Sequence, residues 1–263
     1  MDRTLTFAGT DLGTFGANFT NGGSFPVPAR DYERVEVLGR NGDILIDNGK
    51  FSNVKNTYPS FIYEDFREGY RDMIEFLSSK SGYQRIEDSL DPDMFRMGAY
   101  VGATNPSVKS SDTMASFELT FDCKPQRFFK QDEEGISLEN AYSAANAISF
   151  SNPSVFTSKP LIKMYPNSQV YIRESDVSGG TGFSIKTEDW TQEVQFVNYI
   201  FIDCETLEIY SEGGQNMSAY VSFPVYTVGN EKFPFLIGEK EFKAYMASSS
   251  QQAVTIWPRW WTI

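Results

Sequence analysis

Three close pairs of carboxylates carry the spacing that acid–base hydrolysis needs: Asp91 with Asp93, Glu133 with Glu134, and Asp203 with Glu205. That chemistry requires two acids facing each other across a cleft, one of them held protonated near neutrality. Each pair here falls in turn-like or strand-exit sequence, where carboxylates are ordinarily solvated. No other group is better placed for catalysis, because the 263 residues include no histidine. Imidazole is thereby removed from acid–base, nucleophilic and metal-binding schemes together. Cys123 and Cys204, the two cysteines, lie too far apart for a thiolate metal cluster and read as buried free thiols.

Asp43, Asp47 and Asn48 supply hard oxygen atoms for calcium, but the twelve-residue loop closed by a bidentate glutamate is missing. They read as turn residues, and no metal or other cofactor is expected. Two glycine-rich stretches, Gly13-Thr14-Phe15-Gly16 and Gly179-Gly180-Thr181-Gly182, match neither phosphate-binding pattern and read as loops. Trp257, Trp260 and Trp261, with Tyr165 or Tyr171, could stack on sugars, but core packing is the stronger reading. The bulky run 256–263 reads as a docked closing strand, with Pro258 at an edge or bulge because it lacks a ladder donor.

Positioning such residues falls to strands. The chain is 15% aromatic and 40% hydrophobic, and its short alternating runs predict a mostly β protein. Phe117, Leu119, Phe121 and Cys123 alternate with polar residues as one buried strand face. Val35 and Val37 lead to Arg40-Asn41-Gly42-Asp43, and Ile44 to Ile46 return, which predicts a hairpin closed at Asn41-Gly42. Asp47-Asn48-Gly49 predicts a second turn ending that strand. Phe66, Tyr70, Met73, Ile74 and Leu77 form one stripe, predicting a helix over 64–80 that stops near Gly82. Gly69 weakens that helix by roughly 1 kcal/mol relative to alanine, so packing on a sheet must hold it. Two short strands are expected over 83–87 and 95–101.

The polar stretch 131–135 places a boundary between two domains, 1–130 and 131–263. In the second, strands are expected over 147–150, 161–165, 169–173, 182–186, 197–203, 208–210 and 254–257, as in a β-sandwich. Asp and Glu number 35 against 23 Lys and Arg, a formal net charge of −12. The second half is the more acidic, and no basic cluster offsets it, which disfavours specific nucleic-acid binding. No apolar window approaches the length of a membrane span, and no signal segment is expected.

Three stretches together carry a resemblance: 32–37 running into Gly39-Arg40-Asn41-Gly42-Asp43-Ile44-Leu45-Ile46-Asp47-Asn48-Gly49, then Phe121-Asp122-Cys123-Lys124-Pro125-Gln126-Arg127-Phe128, and finally Pro258-Arg259-Trp260-Trp261-Thr262-Ile263. In this order and spacing they resemble the distal tail (Dit) proteins, the siphophage tail component family of long-tailed phages. The run Phe201-Ile202-Asp203-Cys204-Glu205-Thr206 fits the same layout. Leu38 stands where a proline is common in the family, and Cys204 where a serine is.

The resemblance implies an N-terminal β-sandwich with one helix and an extended hairpin arm, then a C-terminal galectin-like β-sandwich. It implies a non-enzymatic virion protein of the tail tip, assembled in the host cytoplasm as a homohexameric ring. Its implied partners are the tail tube protein on one side and the tail-associated lysin or fibre hub on the other. Receptor-binding proteins can attach at the periphery, and DNA only passes through the lumen. Arg40, Asn41, Gly42, Asp43, Asp47, Asn48 and Gly49 are then candidates for the subunit interface, or they solvate the arm tip. Galactose-binding galectins use a histidine-containing site that this chain cannot supply, so the second domain reads as scaffold. The alternative is a carbohydrate-binding β-sandwich recognising host-wall saccharides; a carboxylate glycosidase is a third reading.

Overall fold

A computed structural model describes residues 3–20, 26–63, 66–103, 105–108, 114–175, 182–194, 196–224, 233–247, 250 and 252–263. The protein is mostly β, with one α-helix among the described residues, and divides into two compact units, Met1–Phe128 with Ile263, and Phe129–Thr262. Residues 179–181 of the second glycine-rich stretch, and the first two positions of the expected helix, lie outside the described residues.

In the first unit one sheet runs through strands Thr10–Asp11, Leu5–Phe7, Gln84–Asp88, Met94–Ala103, Met114–Phe129, Val54–Tyr63 and Ala17–Phe19, in that order. Met114–Phe129 buries Phe117, Leu119, Phe121 and Cys123 on one face, as the alternation predicts. Its antiparallel partner Val54–Tyr63 adds Val54, Tyr58 and Ile62 to the same core. The sheet curls until its ends meet: Arg3, just before the second strand, bridges to Phe19 of the last. Arg3 fixes that closure by donating from Nη1 to the Thr20 carbonyl at 2.7 Å and from Nε to Asp88 Oδ1 at 3.0 Å.

The helix, Phe66–Ser79, packs Phe66, Met73 and Leu77 into this core, with Tyr70 and Ile74 at its margin. Gly82 follows with a φ of +69°. Gly69 has a steric reason: a Cβ there would stand 2.3 Å from the Phe15 carbonyl oxygen. The glycine lets the helix approach the 3₁₀ turn Leu12–Phe15, and tertiary packing overrides its poor propensity. That turn is the first glycine-rich stretch, and Gly16 caps it with a left-handed φ of +78°.

The second unit is a β-sandwich of two five-stranded antiparallel sheets. One orders Ile136–Ser137, Thr255–Trp257, Leu161–Met164, Ile200–Asp203 and Glu208–Ser211; the other, Ile148–Ser151, Glu241–Met246, Gln169–Glu174, Gly182–Thr187 and Val221–Ser222. Their inner faces share one core, in which Ile162, Ile202 and Ile256 pack with Ile172, Phe242 and Ala244. Glu241–Met246 is a strand the sequence reading left out. Trp260 is fully buried and donates to Asp132 Oδ2 at 3.2 Å, so the closing segment is docked. The segment bends where proline demanded it: Pro258 stands outside any strand, and Arg259 takes a φ of +57°.

Candidate functional site

Among the described residues, strands Arg30–Val35 and Ile44–Phe51 pair only with each other and form a separate two-stranded sheet. Opposite residues are Tyr32 with Asp47, Glu33 with Ile46, Arg34 with Leu45 and Val35 with Ile44. Side chains alternate, so Tyr32, Arg34 and Leu45 share one face while Val35, Ile44 and Ile46 share the other. Both faces are in solvent: Leu45 is 54% and Ile46 47% exposed, and Leu38 in the connecting loop is fully exposed. A free two-stranded ribbon with apolar groups on both faces is marginal in water.

Arg40, Asn41, Gly42 and Asp43 lie in the exposed connection 36–43. The two-residue turn expected at Asn41-Gly42 does not form. Gly42 has the required φ of +81°, but Asn41 keeps a negative φ, and such a turn needs both positive. Instead Arg40 N–H bonds to the Val37 carbonyl at 3.2 Å, with Gly39 at a φ of +80° in the third position, where that geometry needs a glycine.

Asp47, Asn48 and Gly49 do not end the strand, contrary to the turn expectation. The strand runs through them to Phe51, with a register shift opposite Arg30 and Tyr32. Asp47 Oδ1 accepts the Gly49 N–H at 2.8 Å, and Gly49 takes a φ of +69°. The same side-chain-to-backbone bond that starts a turn here builds a bulge. Arg30 Nε donates to Asp47 Oδ2 at 2.7 Å across the ribbon. That bond, then the Gly49 N–H, holds the Asp47 carboxyl below its ordinary pKa.

The named positions thus shape the arm, while its exposed surface also carries Tyr32, Val35, Ile44, Leu45 and Ile46. These residues were absent from the interface candidates. The signal was available: Ile44-Leu45-Ile46 puts three apolar residues in a row, so neither face of the strand is polar.

The carboxylates of the hydrolytic reading are otherwise engaged. Asp91 pairs with Arg127, and Asp203 with Arg259, while Asp93, Glu133 and Glu134 are exposed. Burial alone would raise the Asp203 carboxyl, but the Arg259 hydrogen bonds and the Glu205 N–H outweigh it and hold it low. Among the described residues no cluster of three Cys, Asp or Glu could hold a metal ion.

Tyr165 and Trp257 share the outer face of the first sandwich sheet with Tyr199, Phe201 and Tyr210. Ring centroids are 6.0 Å apart for Tyr165–Tyr199, 5.5 Å for Tyr199–Phe201, 5.6 Å for Phe201–Tyr210 and 6.3 Å for Phe201–Trp257. Lys163 Nζ lies 3.8 Å from the Tyr199 ring centre. Trp261 instead stacks on Phe156, and Tyr171 on Tyr245 of the opposite sheet.

No family model matches the chain, and no curated protein matches its sequence. Solved structures do resemble it. The Dit protein of phage SPP1, described as a paradigm of hub adsorption apparatus in phages infecting Gram-positive hosts, superposes with a TM-score of 0.62 at 15% identity, over 97% of this chain and 96% of that one. Two structures of the phage P2 baseplate in its activated conformation, with Ca and with Sr, give TM-scores of 0.52 at 10% and 11% identity over 97% of both chains. The chain therefore has the Dit-type fold found in phage tail hubs.

Proposed function

We propose that this protein is a structural, non-enzymatic component of a phage tail tip, which closes a homohexameric ring by laying its hairpin arm on a neighbouring subunit. The observation that carries this reading is the arm itself, a ribbon with apolar groups on both faces and no strand partner beyond its own two strands among the described residues. Burying Leu45, Ile46 and Ile44 against a second copy removes that surface from water and gives the ribbon the further contacts it lacks. Cyclic closure follows from a head-to-tail contact whose rotation returns to the start.

In such a ring the tail tube protein sits on one side and the tail-associated lysin or fibre hub on the other, with receptor-binding proteins at the periphery. An acidic chain suits a lumen through which DNA passes without being held. The protein would be assembled in the host cytoplasm and carried in the virion. Arg40, Asn41, Gly42, Asp43, Asp47, Asn48 and Gly49 then set the shape and register of the arm at the interface, with 1–130 as the ring-forming domain and 131–263 as a galectin-like scaffold.

Light-scattering mass across a concentration series, with images of the heaviest species, tests this. A ring near six times 29.8 kDa supports it. A monomer at every concentration, with or without tube protein, refutes it. The second reading, a module for host-wall saccharides, is favoured by the half-exposed ladder Tyr165, Tyr199, Phe201, Tyr210 and Trp257, since aromatic faces stack on sugars. Calorimetric titration of wall saccharides tests it, and no heat at millimolar sugar removes it.

A further inference from the structure

Arg96 is the least explained charge in the first unit. It lies on strand Met94–Ala103, is nine-tenths buried, and its Nη1 has no hydrogen-bond partner. Buried guanidinium groups are ordinarily paired, because an unpaired charge away from water is strongly disfavoured. Arg96 lines a cavity of about 30 Å³ together with Arg3, Arg127, Asp88, Asp91 and Asn56. Arg3 is paired with Asp88, and Arg127 with Asp91. Among the described residues three guanidinium groups thus meet two carboxylates, leaving one positive charge uncompensated, and it falls on Arg96. Burial, and then the neighbouring Arg127, pull Arg96 below its ordinary pKa, yet an arginine stays charged in proteins.

Asn56 supplies the second orphan. Its Nδ2 lies 2.7 Å from the Tyr58 hydroxyl, while its Oδ1 is buried with no partner. Burial raises Tyr58, which keeps its proton. Turning the amide over lets Oδ1 accept that proton and turns Nδ2 into a free donor at the cavity wall. In that arrangement Arg96 and Asn56 both offer donors to one small volume, and neither competes with the two ion pairs.

We infer that this cavity binds one monovalent anion of chloride size, held by Arg96 Nη1 and Asn56 Nδ2. The volume admits one or two water-sized occupants and is too small for a polyatomic anion with its own hydration. The charge count asks for a single negative charge. The occupant would sit where strands from 54–63, 84–88 and 94–103 converge, beside the Arg3 closure, and so stabilise the folded first unit by mass action.

The test uses the full chain. Replacing sodium gluconate by sodium chloride at constant ionic strength is expected to raise Tm saturably, by roughly 3–6 °C at ten times the dissociation constant. Bromide should act alike, and crystals grown in bromide should show an anomalous peak within hydrogen-bond distance of Arg96 Nη1. Arg96→Met should abolish the dependence on anion identity; if that variant does not fold, the bromide crystals decide. A Tm indifferent to the anion, with no anomalous peak, means that water fills the cavity and overturns the inference. A peak without any effect in solution marks an adventitious ion only and overturns it too, as does a chloride dependence that survives in Arg96→Met.

Discussion

Arg259 grips Asp203 with both terminal nitrogens, Nη1 to Oδ1 at 2.8 Å and Nη2 to Oδ2 at 3.0 Å, and does so from a backbone in the left-handed region. The two residues are 56 positions apart. The fork joins the exit of strand Ile200–Asp203 to the bend that follows Thr255–Trp257, and it anchors the closing segment where proline has broken the strand. Asp203 also accepts the Glu205 N–H at 2.9 Å, so this one carboxylate shapes its own turn and holds the chain's end.

Removing the arginine leaves a largely buried carboxylate without its cation. Arg259→Met is expected to destabilise the protein by about 3 kcal/mol, read as a lower denaturation midpoint with an unchanged slope. Because the folded Asp203 pKa is lowered, its contribution is complete above the ordinary carboxylate pKa and is lost as pH falls through the folded value. Melting curves from pH 6 downwards should therefore fall less steeply below pH about 4 in Asp203→Asn than in the parent.

Gly69→Ala tests whether helix propensity or close approach governs that position. Alanine gains roughly 1 kcal/mol of propensity, but its methyl meets the Phe15 carbonyl at 2.3 Å. Overpacking of this kind costs roughly 1–3 kcal/mol. The net expectation is a lower Tm, measured by circular dichroism; a higher Tm would mean that the 3₁₀ turn gives way freely.

Charges on the arm separate assembly from folding. Leu45→Asp and Ile46→Asp place a carboxylate on each face of an already exposed ribbon, so subunit stability should change by no more than about 0.5 kcal/mol. The heavy species in light scattering should disappear. Persistence of the ring in both variants would move the interface off the arm.

Both cysteines should be silent until the chain unfolds. Cys123 and Cys204 are buried and unpaired. Burial pushes Cys123 up to about 11 and raises Cys204 further, so almost no thiolate is present at neutral pH. A chromogenic disulfide reagent should find no fast thiol in the native protein and two in denaturant.

Where the local pattern and the tertiary burden agreed, the elements were readable. The stripe from Phe66 to Leu77 and the alternation from Phe117 to Cys123 are examples, since each buries what its period displays. Val54–Tyr63 was not readable. Pro59 and the buried polar residues Asn56 and Ser60 spoil its pattern, although it pairs on both sides. Glu241–Met246 alternates cleanly, but over six residues, with Ala244 as the middle apolar position, the contrast is weak. Asp47-Asn48-Gly49 misled because turn and bulge use the same short-range bond. Of the candidate site, the polar tip was legible and the exposed apolar residues beside it were not named. Nothing in the sequence brings Arg3, Arg96 and Arg127 together, because only strand pairing does that.

The Arg3 closure also sets an order of events during synthesis. Leu5–Phe7 leaves the ribosome some ten seconds before its partner Gln84–Asp88, at roughly 5–20 residues per second. Until then that strand has its short hairpin with Thr10–Asp11, and Arg3 waits for an Asp88 that lies 85 residues downstream. The residue that seals the sheet is thus made well before the carboxylate that holds it. Arrest of translation before Asp88 would leave the nascent chain with an unsealed, sticky edge rather than a smaller folded piece.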